Sequence, residues 1–251
     1  MSLSWIEPPW PAPPEVRALS TQRAGGASAA PFASLNLGAH VGDRAEAVAE
    51  NRRRLRDLAR LPSEPVWLSQ QHGVEVLDLD GPPKAPGADA PCAADASCAR
   101  SPGRICAILT ADCLPVLLAS DSGAGVAAAH AGWRGLAAGV IEATVRALAL
   151  PPSSLLAWLG PGIGPGHFEI GAEVREALLR ADPQAREAFV PNARGRYMAD
   201  LGALARRRLQ RLGIERIYGG DVCTYASPHG YFSHRRDGRT GRQATLIWLE
   251  K

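Results

Sequence analysis

Short apolar runs crowd the middle of this 251-residue chain and constrain its fold more than any other feature. Three of them, Arg104 to Leu109, Leu114 to Ala119 and Gly125 to Ala129, follow one another closely and are typical of buried strands. Helices, such as one predicted from Arg134 to Leu148, occur between only some of the predicted strands. Because strands and helices do not alternate strictly, a pure doubly wound parallel sheet is disfavoured. The pattern predicts one α+β domain over residues 1–251, with a mixed sheet or two packed sheets.

Composition and charge exclude several classes of protein. A chain of 251 residues, of which 46% are hydrophobic and 21% charged, has enough apolar material for its own core. The formal net charge of +3 is too small to indicate a nucleic-acid partner. The sequence has no apolar run of about eighteen residues and no signal peptide, so we expect no membrane association and a cytoplasmic location. Five cysteines, an odd number, favour free thiols or metal ligands over a disulfide framework.

One amphipathic helix is predicted from Asp43 to Leu61, and its apolar face contains an arginine. Asp43 is expected to cap the helix N-terminus, with Glu46 following in the first turn. At about 100° per residue, Arg52 falls within the apolar stripe, whereas Arg53 lies outside it. A buried arginine needs a carboxylate or a bound anion as its partner. The pattern therefore predicts either a structural ion pair or a phosphate site at Arg52.

Three segments place a reactive side chain where a predicted strand ends. Ser69 to Gly73 (SQQHG) ends one strand, and Thr110 to Pro115 (TADCLP) separates two apolar runs. Ala127 to Gly135 (AAAHAGWRG) closes a strand of small residues and opens a helix. Functional sites favour such edges, because a rigid strand holds the side chain while the loop leaves room for a ligand. The candidate site residues of these segments are His72, Cys113 and His130.

Two chemistries compete for these three residues. Two imidazoles and a thiolate are good Zn²⁺ ligands, and three protein ligands leave a fourth position open for water or substrate. Alternatively, Cys113 and His130 form a pair of nucleophile and base, with His72 as an accessory residue. A third interpretation makes each of them a hydrogen-bonded polar residue near the core. Spacing does not decide between them, since the gaps between the three residues match no local zinc motif.

The remaining candidate segments carry weaker signals. Pro82 to Gly103 is rich in proline, alanine and glycine and is predicted to be a surface loop, and Gly160 to Gly166 is a turn-rich segment that suits no regular element. His234 to Arg242 carries four arginines and two glycines, which could surround an anion or form a solvated hairpin tip. Cys223 is interpreted as a buried thiol beside the site. The other cysteines and histidines are interpreted as structural or turn residues: Cys92, Cys98, Cys106, His40, His167 and His229.

Nine short motifs, spread along nearly the whole chain, are specific when they are taken together. They are Thr21 to Gly26, Ser34 to Gly38, His40 to Asp43, Asn51-Arg52, Gln70 to Gly73, Thr110 to Pro115, His130 to Gly135, Gly160 to Pro165 and Phe232 to Arg242. In these motifs the sequence resembles the YfiH family, also called the laccase-domain or multicopper polyphenol oxidase family. Members of that family are described as purine nucleoside phosphorylases and, in bacteria, as peptidoglycan editing factors. Two positions depart from its pattern, with His234 where Tyr is usual and Gln243 where Met is usual.

This resemblance implies one zinc ion per chain bound by His72, Cys113 and His130, with copper as the alternative metal. It implies phosphorolysis of adenosine, inosine and 5′-methylthioadenosine, together with hydrolytic deamination of adenosine. The implied fold is an α+β sandwich of mixed β-sheets with flanking helices, related to the catalytic domain of cytotoxic necrotizing factor. Asp112 is predicted to act as acid or base or to orient a ligand. The predicted phosphate-binding residues are Arg23, Arg52 and Arg235.

Three rival activities remain open. A peptidoglycan-precursor amidohydrolase would use the same zinc on a different substrate, and the kinship to necrotizing factor, which uses a Cys–His pair, keeps a Cys–His hydrolase as an alternative. Polyphenol oxidation requires several copper ions and many more ligands than the six histidines here, so it is disfavoured. The predicted partners are a purine nucleoside and phosphate, with no nucleic acid or membrane, for a protein that is a monomer or a homodimer.

Overall fold

Two β-sheets packed face to face form the centre of the fold, in a computed structural model that describes residues 3–81 and 91–250. The strands are β1 (Trp5–Ile6), β2 (Val16–Thr21), β3 (Val76–Asp78), β4 (Ala96–Ala99), β5 (Ile105–Thr110), β6 (Leu114–Ser120), β7 (Val126–Ala131), β8 (Leu155–Leu159), β9 (Glu169–Ile170), β10 (Phe189–Pro191), β11 (Tyr197–Ala199), β12 (Arg216–Gly219) and β13 (Gln243–Leu249). The helices are α1 (Ala45–Leu58), α2 (Trp133–Ala138), α3 (Val140–Leu148), α4 (Ala172–Ala181), α5 (Leu201–Arg211) and α6 (His234–Asp237). Within the described ranges, no helix is both long and apolar enough to cross a membrane.

The two central sheets differ in strand direction. The first has the order β1-β2-β13-β5, and its neighbouring strands are antiparallel. The second has the order β12-β8-β6-β7-β4-β3, with parallel pairs at both edges and antiparallel pairs inside. A separate small antiparallel sheet has the order β10-β11-β9. The predicted α+β fold with mixed sheets is confirmed, whereas its relation to cytotoxic necrotizing factor stays a prediction.

Three apolar clusters hold these layers together. Between the sheets, Ile108 and Ile247 of the first sheet pack with Leu117 and Trp158 of the second. Each such buried side chain stabilises the fold by roughly 1.5–3 kcal/mol relative to exposure. Helices α2 to α5 cover the outer face of the second sheet. Helix α1 and the segment from Leu35 to Leu37 cover the outer face of the first sheet, so the chain forms a four-layer sandwich with helices outside and sheets inside.

The segment predicted to be a surface loop, Pro82 to Gly103, contains a buried strand. All residues of β4 are buried, and the strand pairs antiparallel with Val126 to Ala129 of β7. The prediction is wrong for 96–99 because both strands consist mainly of small residues, which lack the bulky side chains that mark a strand in sequence. Residues 82–90 of the predicted loop lie outside the described residues.

A glycine divides the helix predicted from Arg134 to Leu148. Gly139 adopts a φ of +96°, a left-handed conformation that ends α2, and α3 begins at the next residue. A left-handed glycine is a common way to end a helix, because glycine has no Cβ to clash in that conformation. The helical prediction is therefore confirmed for most of the segment, and the single helix is replaced by two.

The start of α1 differs from its prediction. The helix begins at Ala45 and has no side-chain cap, so the predicted capping role of Asp43 is wrong. The Asp43 carboxylate instead accepts a hydrogen bond from Asn36 Nδ2 at 2.9 Å and one from the Arg44 backbone N–H at 2.8 Å. The carboxylate therefore stabilises the loop before the helix rather than the free N–H groups of its first turn.

Two neighbouring side chains attach α1 to this loop, and Asn51 is the first. Its side chain has no exposed surface. The amide oxygen accepts a hydrogen bond from the Ala27 N–H at 2.7 Å, while the amide nitrogen donates to Ser28 Oγ at 2.9 Å and to the Asn36 carbonyl at 2.8 Å. A buried polar group is stable only when it is hydrogen-bonded in this way, so Asn51 fixes the loop over α1.

Arg52 is the second attachment, and it points inward as its position on the helix predicts. Its Nε and Nη2 both donate to the Leu37 carbonyl, at 3.1 and 2.8 Å, and its guanidinium lies 4.2 Å from the centre of the Trp67 ring. The predicted ion pair at Arg52 is wrong, because a backbone carbonyl and an aromatic face satisfy the same group.

Arg52→Lys is expected to lower the free energy of unfolding by about 1–2 kcal/mol, since one ammonium group cannot replace both hydrogen bonds to Leu37 and the stacking on Trp67. Urea unfolding measures the change. Arg53→Lys is the matched control on the exposed face of the same helix, where Arg53 forms surface ion pairs, and it should leave stability nearly unchanged. Unchanged stability of Arg52→Lys, together with weaker phosphate-dependent turnover, would contradict the structural role and support the predicted phosphate site.

Candidate metal centre

The fold brings the three candidate ligands together from three separate segments. His72 lies in the turn before β3, Cys113 lies in the turn between β5 and β6, and His130 lies within β7. The atoms of these residues that could bind a metal all lie within 4.8 Å of one another. The two imidazole rings meet edge to face, with centres 4.7 Å apart. Neighbouring strands β6 and β7 therefore place residues distant in sequence at one end of the second sheet.

The spacing of the donor atoms fits one metal ion. Cys113 Sγ lies 3.8 Å from His72 Nε2. Two ligands of one tetrahedral zinc ion, with Zn–N and Zn–S bonds of about 2.1 and 2.3 Å, lie roughly 3.6 Å apart. His130 uses Nδ1 for a protein contact, which leaves its Nε2 for a metal. The cluster could therefore bind a metal through two nitrogens and one sulfur.

Gly132 provides the space that these ligands occupy. A Cβ at this position would lie 2.9 Å from Cys113 Sγ and 3.1 Å from His72 Cδ2. Contacts this short would displace both side chains, so no larger residue is compatible with the observed cluster. The need for glycine follows from register, because Leu114 pairs with Ala131 and the preceding Cys113 faces Gly132.

A buried aspartate, Asp95, holds two of the candidate ligands in place. Its side chain is 1% exposed, and its Oδ1 lies 2.8 Å from His130 Nδ1. The carboxylate also accepts backbone hydrogen bonds from Gln71, His72 and Gly73, at 2.9, 2.9 and 2.7 Å. A carboxylate on Nδ1 fixes the orientation of a metal-binding imidazole and leaves Nε2 as the metal ligand. Asp95 was not predicted as a site residue, because it lies in the predicted loop and an acidic residue before a run of small residues gives no usable signal.

The turn that carries His72 is strained and is held from two sides. His72 has a φ of +60°, which is uncommon for a residue with a side chain. The three consecutive N–H groups around it point at the Asp95 carboxylate, which stabilises this backbone shape. On the other side, the Gln70 side chain donates to the Leu109 carbonyl and accepts from the Leu109 N–H, both at 2.8 Å. Gln70 thus pairs with β5 as a strand residue would.

Charge and hydrogen bonding favour ionised groups at the centre. Burial opposes ionisation of Asp95, but the hydrogen bonds from His130 and from the Gly73 and Gln71 N–H groups outweigh it and lower the pKa of Asp95 to about 2. Burial also opposes charge on Cys113 and His130, yet each stabilises the charge of the other. The pKa of Cys113 is therefore lowered and that of His130 is raised. Thiolate is the form of cysteine that binds metals, and a metal would replace the proton on His130 Nε2.

A cavity of about 340 Å³ opens onto the cluster. Its described lining contains no carboxylate and several basic groups beyond the ligands. These groups are His40, Arg134, His234 and Arg242. From the sequence, His40 was interpreted as a turn residue, and Arg242 was noted only as part of a basic segment. A cavity with this lining favours an anion or an electron-rich ligand.

The other predicted site residues lie elsewhere. Asp112 directs its carboxylate to Thr224 Oγ1 at 2.7 Å and to the Arg235 N–H at 2.7 Å, away from the described cavity lining. The Arg235 guanidinium donates to the Glu169 carbonyl at 2.9 Å. Arg23 donates to two backbone carbonyls, and its guanidinium lies against the Phe232 ring. With Arg52 bound to Leu37, the structure brings none of these four residues to the cavity, and their predicted roles stay predictions.

The chain also matches known proteins. Residues 17–250 match the family model described as multi-copper polyphenol oxidoreductase laccase. Over 244 residues the chain is 53% identical to purine nucleoside phosphorylase YfiH of Escherichia coli (strain K12), which covers 97% of this chain and 98% of that protein. Over 248 residues it is 54% identical to purine nucleoside phosphorylase PA4543 of Pseudomonas aeruginosa, covering 98% of this chain and 99% of that protein.

Solved structures show the same fold over the same length. The crystal structure of Neisseria meningitidis protein NMB0706 superposes with a TM-score of 0.91 at 44% identity, covering 98% of this chain and 99% of that chain. YlmD from Geobacillus stearothermophilus also has a TM-score of 0.91, at 32% identity, covering 98% of this chain and 96% of that chain. These matches confirm the resemblance seen in the sequence motifs, and the chain belongs to the YfiH family, the laccase-like family of the matching model.

Proposed function

We propose that this chain is a zinc-dependent purine nucleoside phosphorylase that acts on adenosine, inosine and 5′-methylthioadenosine and also deaminates adenosine. The observation that carries this proposal is the cluster of His72, Cys113 and His130, which opens onto a cavity lined with basic side chains. The names of the similar proteins from Escherichia coli and Pseudomonas aeruginosa support the same reaction class. We place the enzyme in the cytoplasm as a monomer or a homodimer.

The donor set supports zinc as the metal. Two imidazole nitrogens and one thiolate are ligands that zinc binds readily, and three protein ligands are typical of catalytic rather than structural zinc sites. Bound there, the metal would supply Lewis acidity to an oxygen of a co-substrate or of water. Copper is the alternative, since it also accepts nitrogen and sulfur ligands.

Phosphorolysis sets the requirements that the cavity must meet. An oxygen of phosphate forms a bond to the sugar carbon C1′ while the bond from C1′ to the purine nitrogen breaks, and the departing base takes a proton. The enzyme must therefore hold a dianion against the sugar and stabilise negative charge on the base. Arg134 and Arg242 can hold the anion, and the imidazoles of His40 and His234 are neutral or cationic groups that do not repel it.

The predicted residues outside the cavity receive supporting roles in this proposal. Asp112 connects the turn that carries Cys113 to Thr224 and to the backbone of Arg235. Arg23 and Arg52 hold the loops around α1 through backbone carbonyls. Hydrolytic deamination of adenosine would use the same metal cluster and would need no phosphate, so the two reactions can be separated experimentally.

Polyphenol oxidation, the activity that the family model's description names, finds less support. Multicopper chemistry uses several copper ions with many histidine ligands. Among residues 3–81 and 91–250, one group of potential ligands has the geometry of a metal site. We therefore retain the peptidoglycan-precursor amidohydrolase and the Cys–His hydrolase as the alternatives that the experiments below must separate.

Purified protein is expected to contain close to one zinc per chain by elemental mass spectrometry. Cys113→Ala should lose most of it, because two imidazoles alone bind zinc far more weakly than three ligands do. Cys92→Ala is the matched control, since it removes a free thiol outside the cluster and should keep the metal. Full metal retention in Cys113→Ala would remove this cysteine from the ligand set, and copper at the same stoichiometry would replace zinc in the proposal.

Asp95→Asn should weaken metal affinity by about 10- to 100-fold, as measured by competition with a chromogenic chelator. The amide nitrogen would donate where the carboxylate accepts, which moves the imidazole proton of His130 from Nδ1 to the metal-binding Nε2. Asp57→Asn, at an exposed carboxylate on α1, is the control and should bind metal as the wild type does. Wild-type affinity in a folded Asp95→Asn protein would show that the carboxylate does not orient the ligand.

Phosphate dependence separates a phosphorylase from a simple hydrolase. With adenosine, adenine and ribose 1-phosphate should form only when phosphate is present, whereas inosine should form independently of it. Both products should disappear in His72→Ala, because one metal centre serves both reactions, and the exposed His229→Ala should retain them. Chromatography quantifies adenine, ribose 1-phosphate and inosine in reactions with and without phosphate. Adenine release at the same rate without phosphate would reject the phosphorylase, and no turnover of any nucleoside would favour the peptidoglycan-precursor amidohydrolase.

A further inference from the structure

Arg242 is the most firmly held arginine of the cavity. Its backbone N–H donates to Asn36 Oδ1 at 2.9 Å, and Asn36 is itself fully buried and bound to Asp43. Its Nη1 donates to the carbonyls of Thr240 and Gly241, both at 3.0 Å. A side chain anchored at its backbone and at one end of its guanidinium loses little entropy when a ligand binds.

A glycine gives the Arg242 side chain its path into the cavity. A Cβ at Gly38 would lie 2.8 Å from Arg242 Cγ and 3.1 Å from its Cβ. Gly38 is in turn fixed by Asn36, which accepts its N–H at 3.0 Å. The arginine is therefore directed by the loop before α1 as well as by the segment that leads into β13, and its direction is set before any ligand arrives.

The unused donors of Arg242 form the edge that binds oxyanions best. Among the described residues, its Nε and Nη2 have no hydrogen-bond partner, and these two N–H groups lie side by side. Such an edge can bind two phosphate oxygens at once. Arg52 donates the same two N–H groups to the Leu37 carbonyl, and Arg23 donates its Nε–H to the Ala33 carbonyl, so neither has this edge available for an anion.

The surroundings of Arg242 favour an anion. His40 lines the same cavity, and its pKa is lowered by burial and by the nearby positive charges of Arg242, Arg52 and His130. The imidazole is therefore a neutral donor or acceptor within a positive environment. The described lining of the cavity includes no carboxylate that could neutralise Arg242. The metal cluster lies in the same cavity, so an anion held here would lie beside it.

We propose that the Nε and Nη2 edge of Arg242, with His40 beside it, is the binding subsite for inorganic phosphate next to the His72–Cys113–His130 centre. This inference rests on the proposed phosphorylase function and specifies which residues recognise its co-substrate. In this proposal, Arg242 and His40 take the phosphate-binding role that the sequence motifs suggested for Arg23, Arg52 and Arg235. It selects phosphate by bidentate geometry and leaves the nucleoside to other parts of the cavity.

The test compares phosphate with nucleoside kinetics in metal-loaded enzyme. Arg242→Lys keeps the charge and the backbone hydrogen bond to Asn36 but removes the two-donor edge. The KM for phosphate should rise at least about tenfold, because paired charge-assisted hydrogen bonds are lost, while the KM for adenosine should change less than about twofold. His40→Ala is a second variant and should raise the KM for phosphate by about fivefold, the loss of one neutral hydrogen bond.

Arg239→Lys is the matched control for these variants. Arg239 lies on the same segment, but its guanidinium donates to the Gly42 carbonyl and is not part of the described cavity lining. This variant should keep the wild-type KM for phosphate. Thermal unfolding and metal content of each variant establish that it is folded and loaded. Titration calorimetry with inorganic phosphate should show the same loss of affinity in Arg242→Lys and not in Arg239→Lys.

The outcomes distinguish the subsite from the function. Phosphate-dependent adenine release in the wild type, with an unchanged KM for phosphate in folded Arg242→Lys, overturns the subsite and leaves the phosphorylase intact. Phosphate-independent turnover with phosphate binding that Arg242→Lys abolishes overturns the function and keeps the subsite as an anion site. A metal-loaded wild type that neither requires nor binds phosphate overturns both.

Discussion

The hydrogen bonds of the Asp95 carboxylate are the interaction on which the candidate metal centre depends. One buried carboxylate accepts three consecutive backbone N–H groups and one imidazole, so it fixes both the turn that carries His72 and the ring of His130. Its own position is set by β4, which lies between β7 and β3 in the second sheet. A charge placed so deeply is stable only because every partner is a donor. The centre is therefore as much a property of the sheet as of its ligands.

The parts of the fold that sequence predicts are those where side-chain size marks the secondary structure. The apolar runs at 104–109 and 114–119 became β5 and β6 with shifts of a single residue at the ends. β4 was not predicted, because alanine, serine and cysteine lack the bulky apolar side chains that indicate a strand. Its conformation as a strand depends on pairing with β7. Asp95, just before β4, was missed for the same reason. Tertiary pairing rather than local propensity made this part of the chain a strand.

The cluster of His72, Cys113 and His130 was predictable from the sequence, and the cationic lining of the cavity was not. Histidine and cysteine at strand ends are rare enough to single out, and the fold confirms that they meet. Arginine is abundant here, and helical periodicity predicted only that Arg52 points inward, not which acceptor it finds. Backbone carbonyls took the Nε and Nη2 edge of Arg52 and the Nε of Arg23, and Arg235 donates its Nη1 to Glu169 away from the described cavity lining. Arg242 lines the cavity and keeps its edge free, because two carbonyls took only its Nη1. Which donors stay free depends on loop geometry, which a sequence alone does not specify.

Cys113 occupies the turn through which the chain leaves one sheet and enters the other, since β5 belongs to the first sheet and β6 to the second. The sulfur meets His130 only after β6 has paired with β7, and it meets His72 only when the hydrogen bonds of Asp95 hold the turn before β3. An unfolded or half-assembled chain therefore offers the ion scattered donors with no chelate. A metal bound by this cluster would contribute to the free energy of folding almost entirely at the last step, because it would stabilise the completed assembly and no earlier state. Metal supply would then govern how long a finished molecule persists, while its rate of first collapse would be insensitive to the ion.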